Sequence, residues 1–343
     1  MKLPVIKPTI IALLTTLRCT AACENCCFGC TPKQGRSMTY QEMKDYVDMC
    51  LEAYPDSLYK LSLTGGECML LGKDIDRILS YGKSKGLKCI LISNAFWAAD
   101  YDKAYSTLKR LKRNGLDYIS FSSGADHNKY VPWTNVRNAA IAAALLGIDC
   151  EVRLEYTPWS SEAKIDINSD TELTELSKQG KIAISHSPWM RFENNRKKEK
   201  SFKYKLHKTK EKEPCQNLFR CIVINPYGEV YACCGIGCCH IPQLRLGNVN
   251  KESVKTVYER AFDDFLKIWL YTDGPQAVLE FVDKKTNQKL PWHTMHICDK
   301  CRTIFTDKSI IPLLKDNFFE VQLLPLLSYK ILAKQANEQN TKR

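Results

Sequence analysis

No stretch of this sequence approaches the roughly 18–20 consecutive apolar residues that a membrane-spanning helix requires, so a helical transmembrane segment is excluded. A secretory signal is missing as well. The apolar segment Pro8–Thr16 is short and runs straight into a cysteine cluster instead of a small-residue cleavage site. There is no internal repeat, and no nucleic-acid recognition motif accompanies the basic residues. These absences point to a cytoplasmic chain with neither membrane nor nucleic acid as a partner. What remains is ordinary for a globular protein, with 44% hydrophobic and 26% charged residues. At 343 residues the chain can bury a sizeable core, and its length suggests one large domain plus a smaller one.

Cysteine is abundant: 17 residues, an odd number. A disulfide framework needs the oxidising compartment that the N-terminus does not signal, so clustered cysteines read as metal or redox ligands. The net charge of +12 is uneven, and much of it lies between Arg191 and Lys212. That segment reads either as a solvated linker or as a docking surface for an acidic peptide or a phosphorylated substrate.

The first half alternates strand and helix signals. Strands are expected at Ile10 to Leu14, Leu58 to Leu63, Lys88 to Ser93, Tyr118 to Ser122 and Asp149 to Tyr156. Helices fall at Thr39 to Ala53, where Thr39 and Glu42 fit a capping box, and near Lys73 to Lys85, Tyr101 to Asn114 and Asn135 to Leu146. Repeated βα units with apolar strands predict a parallel sheet covered by helices, with functional loops at the strand C-terminal ends. Near Pro188 the pattern breaks. A hairpin follows, Ile222 to Asn225 and Glu229 to Ala232 around Pro226-Tyr227-Gly228, then a helix near Lys251 to Trp269. An apolar helical tail, Ile311 to Ala333, is expected to break near Pro325, with a disordered end.

The first cysteine loop reads Cys19-Thr-Ala-Ala-Cys23-Glu-Asn-Cys26-Cys27-Phe-Gly-Cys30. Thiolates spaced x3 and x2 can take three corners of a 4Fe-4S cluster and leave one iron open, as a catalytic centre needs. Cys30 offers a second reading, a closed four-cysteine cluster that would only carry electrons. Later features follow at successive strand ends: Thr64-Gly65-Gly66-Glu67, Ser93-Asn94, Ser122, and Asp126-His127 with Val131-Pro132. In this order the motifs resemble the radical S-adenosylmethionine (SAM) superfamily. Cys27, Cys30 and Asn25, which stands where that family often has an aromatic, depart from its minimal pattern.

The resemblance implies an α/β fold, a partial (βα)6 TIM-like barrel with a small C-terminal α+β auxiliary-cluster domain. It implies that Cys19, Cys23 and Cys26 hold the SAM-binding 4Fe-4S cluster and that Gly65, Gly66, Glu67, Asn94 and Ser122 surround SAM. Arg153 is either a partner of the SAM carboxylate or part of a structural salt bridge.

A second block resembles the SPASM and Twitch domains of the same superfamily: Cys215 and Cys221 before the hairpin, Cys233-Cys234 after it, Leu246-Gly247-Asn248, and Cys298-Asp-Lys-Cys301. The implied ligands of one auxiliary iron-sulfur cluster, expected to be 4Fe-4S and closer to Twitch than to full SPASM, are Cys215, Cys233, Cys298 and Cys301. Cys221 and Cys234 are alternates, and Cys238 and Cys239 are unassigned. A structural zinc site is the competing reading of four thiolates with a CxxC. Cys50, Cys68, Cys89 and Cys150 read as buried small hydrophobes. The expected domains are 1–190 (barrel), 191–213 (basic linker), 214–305 (auxiliary cluster) and 306–343 (helical tail).

Auxiliary-cluster members of the superfamily mostly modify ribosomally made peptides by crosslinking, epimerisation or residue oxidation, and they draw electrons from a reductant such as flavodoxin or ferredoxin. The resemblance therefore implies a peptide substrate, with Tyr130, Trp133 and Trp159 as groove candidates. Against this, the cluster motif begins so near the N-terminus that no leader-recognition domain is expected before it. The alternatives are a small-molecule dehydrogenase using the same radical, and a non-catalytic electron carrier or zinc-stabilised binding protein. The catalytic acid, base or hydrogen donor stays unassigned, with His127, Tyr130 and His186 as candidates beside the spare cysteines.

Overall fold

The computed structural model describes residues 3–33, 35–156, 169–188, 190, 213–287 and 296–341. The basic segment 191–212 and Trp159 lie outside the described residues. Six parallel strands stand in sequence order: β1 (Ile10–Thr16), β2 (Lys60–Gly65), β3 (Lys88–Ser93), β4 (Leu116–Gly124), β5 (Asp149–Tyr156) and β6 (Ile182–Pro188). Five helices connect them: α1 (Tyr40–Ala53), α2 (Lys73–Ser84), α3 (Tyr101–Arg113), α4 (Trp133–Leu145) and α5 (Thr171–Lys178). β1 and β6 are not paired, so this is a partial barrel.

The alternation of side chains along each strand sorts the two faces. Ile11, Leu13, Leu61, Leu63, Leu91, Ile119, Phe121, Val152 and Leu154 are buried in one continuous core with the helices. Cys50, Cys68, Cys89 and Cys150 belong to it. They are the small hydrophobes expected. The helices begin and end on local signals. Thr39 and Glu42 form the capping box of α1, and Asp100 caps α3 through the Lys103 amide.

The sheet does not end with the barrel. β7 (Leu218–Ile224) pairs in parallel with β1, setting Ile10 opposite Cys221, and β8 (Glu229–Cys233) and β9 (Arg245–Asn248) continue it antiparallel. The C-terminal hairpin therefore extends a nine-stranded sheet instead of forming a layer of its own. Six further helices pack on this half: α6 (Val254–Glu259), α7 (Phe265–Thr272), α8 (Gly274–Thr286), α9 (Ile297–Thr306), α10 (Ile310–Asn317) and α11 (Leu323–Thr341).

Three expectations need correction. The single helix from Lys251 to Trp269 is two, because Asp264 accepts the Leu266 amide and starts α7 afresh. The tail breaks at Asn317–Gln322 and not at Pro325, which sits in the first turn of α11 where a missing amide costs nothing. Residues 336–341 are helical, not disordered. Asn337 and Asn340 donate to the carbonyls of Val5 and Lys7, and Tyr329 Oη donates to Pro4 at 2.6 Å. Among the described residues no helix is long and apolar enough to cross a membrane.

Candidate metal centre

The cysteine loop leaves the C-terminal end of β1 and returns to it. Cys19 N donates to Thr31 O at 3.2 Å, and the turns between are closed by Cys26 N to Cys23 O and Gly29 N to Cys26 O. Cys19, Cys23 and Cys26 are half-buried, whereas Cys30 is only 3% exposed. Burial pushes the Cys19 thiol up to about 11 and Cys23 higher still, each raised further by the charge of Cys26. A hydrogen bond from the Cys30 thiol holds Cys26 down at about 6. Three thiolates crowded on one partly buried loop would repel one another, and a bound metal would offset that repulsion. Among the described residues no three His, Cys, Asp or Glu side chains converge to hold one ion. A cubane takes one cysteine per iron corner and does not need them to converge.

The neighbouring strand ends hold this loop. Gly66 N donates to Thr16 O at 2.7 Å and Glu67 N to Arg18 O at 2.8 Å. A Cβ on Gly66 would stand 2.0 Å from Arg18 O, so only glycine allows this approach. Glu67 itself is fully buried. Its carboxyl accepts from Ser93 Oγ, Met69 N and Asn94 N, and burial raises it to about 7. It braces the ends of β2 and β3. Asn94, 5% exposed, turns its amide to Thr20 Oγ1 at 3.0 Å and Cys19 Sγ at 3.6 Å.

From the far side, the segment after β4 clamps the loop. Asp126 accepts from Asn25, Tyr130 Oη donates to Ala22 O at 2.7 Å, and Glu155 accepts from the Asp126 and His127 amides. His127 and Tyr130 thus have structural work at the site. Ser122 lies opposite Arg153 in the β4–β5 register. Arg153 pairs with Glu151 at 2.9 Å, the salt-bridge reading of this residue, and Glu151 also accepts from Tyr118, Ser120 and Ser185. This polar row faces the side of the sheet away from the helix-packed core. Apolar periodicity passes over it, and the alternation of Ser120, Ser122, Glu151 and Arg153 is the one signal that could have found it.

A second set of thiols gathers in the fold's other half. Cys215, Cys233, Cys298 and Cys301 line one small apolar opening, with Cys238 at its wall. Cys298 and Cys301 share one face in the first turn of α9. Both Cys298 Sγ (3.0 Å) and Cys233 Sγ (3.6 Å) lie beside the point where a Cβ on Gly235 would stand. Burial raises Cys215 to about 11 and Cys298 to about 12, and each is raised further by Cys233. The alternates Cys221 and Cys234 do not line the opening, and Cys234 Sγ donates to Asn217 Oδ1 at 3.7 Å.

Residues 215–302 match the SPASM family, an iron-sulfur cluster-binding domain. This part of the chain is a SPASM-type domain. The matched span begins at the cysteine before the hairpin and ends one residue past the CxxC. A putative peptide biosynthesis protein, YydG, of Bacillus subtilis (strain 168) is 22% identical over 298 residues, covering 84% of this chain and 89% of its own. Among solved structures, SuiB of Streptococcus suis is similar at 14% identity and a TM-score of 0.46, over 80% of this chain and 68% of that one. BtrN in complex with AdoMet and 2-DOIA is similar at 10% identity and 0.44, over 79% and 89%.

Proposed function

We propose that this SPASM-bearing chain is an enzyme that modifies a ribosomally made peptide by hydrogen-atom abstraction, ending in a crosslink, an epimerised centre or an oxidised residue. The observation that carries the reading is the loop of Cys19, Cys23 and Cys26 at the open edge of the barrel, joined to a four-thiol opening in the SPASM domain. The likeness to a protein described as one of peptide biosynthesis supports the substrate class.

Cys19, Cys23 and Cys26 would hold a 4Fe-4S cluster, and Cys215, Cys233, Cys298 and Cys301 an auxiliary one. Such a cluster would supply the electron for reductive cleavage of SAM. The chain's own residues set the geometry. Gly65 and Gly66 let the β2 loop lie against the cluster loop, and Asp126 and Tyr130 fix the loop from the other side. By the resemblance Ser122 would meet the ribose of SAM, while Arg153 is paired with Glu151. An external flavodoxin or ferredoxin would supply electrons.

The test is anaerobic. The protein is reconstituted with iron and sulfide, given dithionite and SAM, and 5′-deoxyadenosine is quantified. Product from wild type that is lost in Cys26→Ala establishes the class. Full iron content without product favours the closed four-cysteine carrier with Cys30, and an iron-free, zinc-filled protein ends the reading.

A further inference from the structure

We propose that Asn94 sets the reduction potential of the cluster at Cys19, Cys23 and Cys26 by donating a hydrogen bond from its side-chain amide to the Cys19 sulfur. The inference rests on the reading of Cys19 as a cluster ligand. It concerns a residue that the sequence places near SAM and the structure turns towards sulfur.

Both ends of the amide are assigned by their partners. Phe96 N donates to Asn94 Oδ1 at 3.1 Å, so the nitrogen faces the other way, towards Thr20 Oγ1 at 3.0 Å and Cys19 Sγ at 3.6 Å. The backbone is pinned too, since Asn94 N donates to Glu67 Oε2 at 2.7 Å while Ser93 Oγ donates to Glu67 Oε1 at 2.9 Å. Asn94 is 5% exposed. Water does not compete for this donor, and a hydrogen bond in such surroundings is stronger than one at the surface.

Reduction adds one negative charge to a cluster and its thiolates. A donor aimed at a ligand sulfur stabilises that charge more than the oxidised state, so it raises the potential. Cys19 Sγ also receives the Ala21 amide at 3.4 Å. That bond comes from backbone, which any sequence supplies. The bond from Asn94 comes from one side chain, and it is the contribution a substitution can remove.

The experiment is an EPR-monitored potentiometric titration of the reconstituted full-length protein, following the signal that changes when SAM is added. Asn94→Ala removes the donor. Asn94→Asp keeps the shape and the Phe96 bond and puts an acceptor against the sulfur, which also covers the case in which the alanine variant does not fold. Thr20→Val removes the amide's other partner and leaves the sulfur bond. The expected result is a tenfold smaller ratio of reduced to oxidised cluster at fixed potential in Asn94→Ala, equal to about 59 mV for one electron, at least as large a shift in Asn94→Asp, and none in Thr20→Val. Clusters formed normally with unchanged potentials in both Asn94 variants would overturn the inference alone. A wild-type protein with no SAM-responsive cluster would overturn the underlying reading, and the inference with it.

Discussion

Asp126 Oδ2 stands 3.3 Å from both the backbone nitrogen and the side-chain nitrogen of Asn25, the residue immediately before Cys26. Both residues are buried, and Asp126 is in turn held by Glu155 Oε1, which accepts its amide at 2.6 Å. An aromatic at position 25 could not make this double contact, so the departure from the family pattern has a local cause. Removing the carboxylate leaves two buried donors unmet, at about 1–3 kcal/mol each. Asp126→Ala is expected to loosen the loop and speed iron loss to a chelator at least tenfold. Lys129→Ala, which removes only a half-exposed partner of Asp126, should leave the rate within about twofold. Equal rates in the two variants would show that Asn25 does not depend on Asp126.

Much of this architecture is legible in the sequence, for physical reasons that differ by element. β3 and β5 are found at their observed limits because apolar runs between turn residues leave little choice of register. The capping box of α1 is local chemistry and needs no tertiary knowledge. α5 and β6 are missed because half of β6, Ile182–Pro188, is polar on the face that carries Ser185. The pairing of β7 with β1 spans more than 200 residues and has no local signature. The four auxiliary thiols are legible from spacing around a hairpin. The inward turn of Glu67 and Asn94 is not, because strand ends reveal position and not side-chain direction.

Glu67 makes one pH dependence predictable. Burial raises its carboxyl from 4.5 to about 7, so the folded chain binds a proton more readily than the unfolded one. Its stabilising contribution is fully present below about 4.5 and is lost as pH rises through about 7. Glu67→Gln cannot titrate. Between pH 5.5 and 8, urea unfolding of the metal-free chain should show wild type losing about 2 kcal/mol relative to this variant. A gap that stays constant with pH would place the titration elsewhere.

The two candidate ligand sets of the SPASM domain separate cleanly by iron content. Cys298 lines the opening beside Cys233, whereas Cys234 is exposed and donates to Asn217. Reconstituted Cys298→Ala should lose about one cluster's worth of iron and sulfide per chain, while Cys234→Ala keeps the wild-type content. The reverse pattern would move the ligand set to the alternates.

Gly66 tests whether the two loops must touch. Its own backbone does not need the left-handed region, unlike Gly65, whose φ is 130°. The constraint on Gly66 is therefore steric alone: an added Cβ would meet Arg18 O at 2.0 Å and Cys19 N at 3.2 Å. The first neighbour is a backbone carbonyl, and it cannot swing aside as a side chain would. Gly66→Ala should part the β2 loop from the cysteine loop, break the Glu67 N to Arg18 O bond, and cost about 3 kcal/mol in urea unfolding. Gly72→Ala is the matched comparison, since Gly72 has a φ of 57° but open space around it. It should cost about 1–2 kcal/mol of backbone strain and leave iron loading at Cys19, Cys23 and Cys26 intact. If Gly66→Ala unfolds no more easily than Gly72→Ala and loads iron normally, the loops are free to separate, and the contact between them is not what holds the cluster site in place.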